Sequence, residues 1–223
     1  MDGVWLLMRG NMHHTLWLAG VATALLLVGF YLLAGDGENV GVSPTTEPAI
    51  GIKTETATFA GGCFWGVEAT FRQVPGVLWT EVGFTGGQTK NPTYKQVCGH
   101  ESGHAEAVRV LYDPAKVSYQ QLLTTFFENH VPICVGRPES YRRSQYRSVI
   151  FVHSDQQQQL ADGEKRRRNE FGKYAGRVAT EITPAGPFYR AEESHQQYYQ
   201  RQGKQASCLI GSGKHEGRGR DGE

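Results

Sequence analysis

Four side chains in this sequence carry a thiol: Cys63, Cys98, Cys134 and Cys208. None forms a C-x-x-C pair, and their spacing fits neither a zinc finger nor a disulfide-dense scaffold. Widely separated cysteines in a chain of 223 residues suggest a nucleophile with a remote partner. Cys63 stands out by its setting, Gly61-Gly62-Cys63-Phe64-Trp65-Gly66. The two glycines let the backbone turn sharply after a strand, which puts Cys63 at the start of a helix. Unpaired N–H groups and the positive end of the helix dipole favour an anion there. The position therefore predicts a depressed thiol pKa and a nucleophilic thiolate. Phe64 and Trp65 cannot both face one core, so one of them is free to line a pocket beside the sulfur. The same residues also fit a buried, unreactive thiol in a tight strand-to-helix turn.

The elements that would position Cys63 follow from periodicity. Thr54–Ala60 alternates and ends apolar, as a strand does, and the helix then covers Cys63–Gln73. Gly76–Phe84 reads as a second strand with Gly83, Gly86 and Gly87 at its end. Ala105–Tyr112 alternates again, and Asp113-Pro114 stops it. Ser118 is a good N-cap for a helix over Tyr119–Asn129, with Leu122, Leu123, Phe126 and Phe127 on one stripe. Ser148–His153 is a strand, Asp155–Phe171 a polar helix, Val178–Ile182 a short strand and Ala191–Arg201 a last helix. Strands and helices interleave irregularly, which predicts an α+β two-layer sandwich.

Composition bounds the rest. The 23 basic and 22 acidic side chains leave a net charge of +1, so no clustered basic surface for nucleic acid is expected. Lys165-Arg166-Arg167-Arg168 reads as the solvated face of a helix. Gly211-Ser212-Gly213-Lys214 lacks the upstream glycine of a phosphate loop. Residues 16–34, Leu-Trp-Leu-Ala-Gly-Val-Ala-Thr-Ala-Leu-Leu-Leu-Val-Gly-Phe-Tyr-Leu-Leu-Ala, carry no charge over 19 positions. About 20 apolar residues cross a bilayer as a helix. Residues 1–34 are thus expected to be a signal anchor or a cleaved signal peptide, and the length favours the anchor over a secretory h-region. Arg9 in front favours an N-terminus in the cytoplasm, with the folded domain on the outer, periplasmic or extracytoplasmic, side. Residues 35–52 read as a Gly/Pro-rich linker, 53–210 as the domain and 211–223 as a charged, glycine-rich disordered tail.

The run Gly62-Cys63-Phe64-Trp65-Gly66 resembles the signature of the methionine sulfoxide reductase A family. Other segments agree in order and spacing: Gly83-Phe84-Thr85-Gly86-Gly87, Asn91-Pro92-Thr93-Tyr94, Gly103-His104-Ala105-Glu106-Ala107-Val108, Tyr112-Asp113-Pro114, Phe126-Phe127-Glu128-Asn129-His130, Gln145-Tyr146-Arg147-Ser148 and His195-Gln196-Gln197-Tyr198. The resemblance covers roughly residues 53–208. It implies a mixed sheet with flanking helices around a ferredoxin-like core. It also implies reduction of methionine S-sulfoxide, in proteins and as the free amino acid, without a cofactor or metal. Carried onto matching positions, Cys63 attacks the sulfoxide sulfur and Glu106 gives a proton to its oxygen. Tyr94 and Tyr146 donate hydrogen bonds to that oxygen, and Phe64 and Trp65 hold the methyl group. Cys208 would resolve the resulting sulfenic acid, and thioredoxin or a thioredoxin-like protein would reduce the disulfide. His104 and His195 would serve structural hydrogen bonding near the site. A monomer is expected.

One segment departs from the family. Between His130 and Gln145 the length is right but the residues are not: Tyr141 stands where the family has an active-site aspartate, and Arg143 where it has a glycine. A tyrosine can donate a hydrogen bond but is uncharged at neutral pH, and Glu139 lies two residues away. The sequence therefore leaves two readings: an active reductase, or a catalytically impaired sulfoxide-binding homologue.

Overall fold

The structure is a computed structural model that describes residues 51–133 and 143–204. Leu16–Ala34, Cys134, Glu139, Tyr141 and Cys208 lie outside the described residues.

The first element is β1 (Glu55–Gly61), followed by α1 (Phe64–Phe71) and β2 (Val77–Thr85). A short helix, α2 (Tyr94–Cys98), precedes β3 (Ala105–Tyr112). Then come α3 (Tyr119–Asn129), β4 (Ser148–Val152) and α4 (Asp155–Glu170). The C-terminal part holds β5 (Glu181–Pro184), β6 (Tyr189–Arg190), a 3-10 turn at Glu193–His195 and α5 (Tyr198–Arg201).

Six strands form one sheet in the order β5-β4-β1-β3-β2-β6. β1 lies between β3 and β4 and is antiparallel to both, while β2 and β3 form a long antiparallel pair. This β4-β1-β3-β2 arrangement, with α1 and α3 as crossovers, is the split βαβ pattern of ferredoxin-like folds. β5 adds in parallel to β4, which makes the sheet mixed.

Strict alternation in the strands decides which residues meet the helices. Ala57 and Phe59, Val82 and Phe84, Val108, Val110 and Tyr112, and Ile150 and Val152 share one core with Phe64, Val67 and Phe71 of α1. Leu122, Leu123, Phe126 and Phe127 of α3 complete it. Burying such side chains contributes about 1.5–3 kcal/mol each. The opposite face carries Ala60, Ala105, Ala107, Val149 and Phe151, covered by Ala185 and Phe188. Gly83 is required for that cover, since a Cβ there would stand 2.3 Å from the Tyr189 carbonyl and 2.5 Å from the Phe188 ring.

One short helix was not expected, and two expectations are corrected. Tyr94–Cys98 is helical, nucleated by a capping box between Thr93 and Gln96; five residues are too few to show a period. The strand expected at Val178–Ile182 begins only at Glu181, and Val178 makes a lone bridge to Ile133. The helix expected over Ala191–Arg201 breaks. Gln196 turns its side chain into the sheet, and Gln197 takes a left-handed conformation, φ 51°. Ser118 caps α3 as expected, with a full capping box to Gln121. Within the basic run, Arg167 and Arg168 are not simply solvated; both pair with the buried Glu164. Among the described residues no helix is long and apolar enough to cross a membrane.

Candidate active site

Gly62, at φ 106°, makes the turn out of β1 that no other residue type adopts easily. It delivers Cys63 to the N-cap position of α1, with φ −62° and ψ 124°. The first N–H groups of the helix are shared between two acidic groups. Phe64 N–H donates to Glu106 Oε2 at 3.0 Å, while the N–H groups of Trp65 and Gly66 face the Cys63 sulfur and favour its anion. They do not prevail. Burial, and then the neighbouring Glu106 carboxylate, push the Cys63 thiol up to about 12. The expected depression of this pKa is thus corrected: the helix end does not offset desolvation, and the nearest ionisable partner is a carboxyl rather than a cation.

Glu106 reaches the sulfur because it lies on the even-numbered face of β3 with Val108, Val110 and Tyr112, under α1. It is 1% exposed. Burial lifts its carboxyl to about 8, against the opposing hydrogen bond from Phe64. Oε1 is buried with no hydrogen-bond partner among the described residues. A carboxyl lifted to about 8 is mostly in its neutral, proton-bearing form at neutral pH.

Tyr94 opens α2, its ring 6.5 Å from Phe64, 6.4 Å from Phe84 and 4.5 Å from His195 between centroids. Burial raises its hydroxyl pKa, with the Cys98 thiol and Glu106 adding to the rise. Tyr146 is pushed up to about 12 by burial, then by Glu106 and Cys63. Both phenols are therefore neutral hydrogen-bond donors beside Glu106, Tyr94 bonded to Cys98 and Tyr146 also near Cys63. Tyr146 sits in a turn fixed to the sheet by a bond from Glu106 N–H to the Gln145 carbonyl, 2.8 Å. Arg147 ties the turn down. It donates to the carbonyls of Ser144 at 3.2 Å, Gly103 at 3.0 Å and Gly86 at 3.4 Å.

Trp65 forms the outer wall. Its indole N–H donates to His195 Nδ1 at 3.2 Å, and Tyr198 stacks on it at 3.8 Å and 12°. His195 and His104 both make hydrogen bonds near the site. His104 accepts from Gly87 N–H at 3.1 Å and meets the Thr89 carbonyl at 2.8 Å, fixing the turn beside the site. The structure thus brings Cys63, Phe64, Trp65, Tyr94, Glu106 and Tyr146 together, while Cys208 lies outside the described residues. Sequence reasoning missed Glu68, Gln196 and Glu192, which hold the Ala191–Tyr198 segment. The available signal was Glu68 itself, an acid inside the otherwise apolar helix Phe64–Phe71. Among the described residues no cluster of His, Cys, Asp and Glu could hold a metal ion.

A partly buried thiol, a buried carboxyl held neutral and two neutral phenols beside an aromatic wall fit a thiol-dependent reductase of a polar, oxygen-bearing group. The comparisons agree. The family model for peptide methionine sulfoxide reductase matches residues 55–219. Peptide methionine sulfoxide reductase MsrA of Methanoculleus marisnigri is 52% identical over 149 residues, 67% of this chain and 91% of that protein. Among solved structures, the methionine sulfoxide reductase A of Corynebacterium diphtheriae is 36% identical with a TM-score of 0.56, covering 66% of this chain and 74% of that one. Reduced Mxr1 of Saccharomyces cerevisiae is 31% identical with a TM-score of 0.61, covering 70% and 90%. The chain belongs to the peptide methionine sulfoxide reductase family.

Proposed function

We infer that this chain reduces methionine S-sulfoxide, in proteins and as the free amino acid, through a sulfenic acid on Cys63. The observation that carries the reading is the buried Glu106 carboxyl near the Cys63 thiol, with Oε1 unpartnered among the described residues and a pKa that burial raises towards the neutral form. The methyl group lies against Phe64 and Trp65, and the sulfoxide oxygen accepts from Glu106, Tyr94 and Tyr146. As the sulfur of Cys63 attacks, Glu106 gives its proton to that oxygen, where negative charge would otherwise build. The thiol proton returns to Glu106. The S–O bond then breaks as the hydroxyl passes to the Cys63 sulfur, and the bond formed between the two sulfurs breaks with it, leaving the thioether and Cys63–SOH. A protonated partner thus does for this thiol what a depressed pKa would have done.

Cys208 then condenses with the sulfenic acid, forming the Cys63–Cys208 disulfide and releasing water. Cys208 stands ten positions after Tyr198, a span of up to about 33 Å when extended. The family resemblance supports thioredoxin or a thioredoxin-like dithiol as the reductant, acting on a monomer. The apolar run Leu16–Ala34 supports a membrane tether with the reductase domain on the outer side. The reading as a binder disabled at Tyr141 is not favoured, because Cys63, Glu106, Tyr94 and Tyr146 converge as the reaction needs.

The test is a stereospecific assay with dithiothreitol on the separated sulfoxide epimers. The S epimer is expected to yield methionine and the R epimer none. Reduction of both epimers, or of neither, would overturn the reading.

A further inference from the structure

Glu68 is a buried acid that the reaction does not use. It lies one turn beyond Trp65 on α1, 1% exposed, and burial raises its pKa. An acid in such a place costs desolvation unless its oxygens are bonded. Thr80 Oγ1 donates to Oε1 at 3.0 Å. Gln197 N–H donates to Oε2 at 2.7 Å.

The second bond is the informative one. Gln197 holds φ 51°, a conformation unfavourable for a non-glycine residue that persists only where its surroundings enforce it. This left-handed turn directs Tyr198 back over Trp65, where the rings stack at 3.8 Å. Two residues earlier, His195 accepts the Trp65 indole N–H and packs at a tilt against the Tyr94 ring, 4.5 Å between centroids. The rest of the segment is held elsewhere. The Gln196 side chain accepts from Val82 N–H and donates to the Val82 and Ala191 carbonyls, each at 2.9 Å. Those bonds fix the segment on β2. At the turn itself Glu68 takes the Gln197 N–H, while Arg201 closes the far side, its N–H donating to the Gln197 carbonyl at 3.0 Å and its side chain to the Glu193 carbonyl.

We propose that Glu68 is a positioning residue for substrate binding: its carboxylate latches the turn at Gln197 and so holds Tyr198 against Trp65 as the wall of the sulfoxide pocket. The proposal rests on the reading of the Cys63 site as a sulfoxide reductase. It locates the effect in substrate binding, since Cys63, Glu106, Tyr94 and Tyr146 do not touch Glu68 through any of these bonds.

Steady-state kinetics on methionine S-sulfoxide with dithiothreitol test it. Glu68→Ala is expected to raise KM about tenfold with kcat within about twofold of the parent. Glu68→Gln keeps an acceptor for Gln197 N–H and should restore the parent KM. Thr80→Val removes the other partner of Glu68 and should leave KM unchanged. Tyr198→Ala should raise KM as Glu68→Ala does, and the double variant should add little, because both act through one wall. Should the alanine variant not fold, Glu68→Asp withdraws the oxygen from Gln197 and is expected to raise KM in the same direction. An unchanged KM in Glu68→Ala or Glu68→Asp, a KM rise in Thr80→Val, or multiplicative effects in the double variant would overturn the latch. Absence of turnover in the parent chain would instead refute the reductase reading.

Discussion

At the residue scale, Glu106 links activity and stability to pH with a definite sign. Its folded pKa is about 8 against an ordinary value of 4.5, so the folded state keeps a proton that the unfolded chain releases. Stability from this group is complete below 4.5 and is lost as pH rises through 8, by up to about 1.4 kcal/mol per unit. If Glu106 is the acid inferred above, activity is expected to follow the same proton: kcat/KM should fall about tenfold per unit above 8. Glu106→Gln should lose at least about a hundredfold in kcat/KM, yet its urea-unfolding free energy should lack the decline between pH 4.5 and 8. A variant that kept both the activity and the decline would show that Glu106 is neither the acid nor a buried one. Cys63 teaches the complementary lesson. Helix-start position is legible in Gly61-Gly62-Cys63, but the balance between dipole and desolvation depends on what the fold packs around the sulfur. Glu106, 43 residues away in sequence, is invisible from the local run.

Among the elements, the long periodic ones were readable because their own residues decide them. Ala105–Tyr112 alternates, and Ser118 with Gln121 writes the start of α3 in side chains that bond its first N–H groups. Removing that cap tests how far local chemistry sets stability. Ser118→Ala should cost about 1 kcal/mol in denaturant unfolding and leave the sulfoxide KM and kcat unchanged, because the cap lies away from Cys63. A stability change near zero would mean that tertiary packing alone holds α3. The elements that were misread are decided by distant partners. The break at Gln196 follows from its side chain pairing with Val82, 114 residues away, and Gln197 bends because Glu68 holds it. No window of Ala191–Arg201 carries that information. The site's walls were legible as residue types, Phe64 and Trp65, but not as a surface, because Tyr198 and His195 reach them only through this break.

For the whole molecule, the account makes Cys63 the atom that receives oxygen and Cys208 the atom that clears it. The sequence marked both cysteines, and the fold brings together the groups that serve the first. The direct test is a single turnover without reductant, using the chain with Cys208→Ser and an excess of methionine S-sulfoxide. Cys63→Ser serves as the comparison. Product methionine and a sulfenic acid trapped on Cys63 are quantified together. The account predicts about one methionine and one trapped sulfenic acid per chain in the Cys208 variant, and neither in the Cys63 variant. Methionine formed in the absence of Cys63, or formed without oxygen reaching its sulfur, would contradict it.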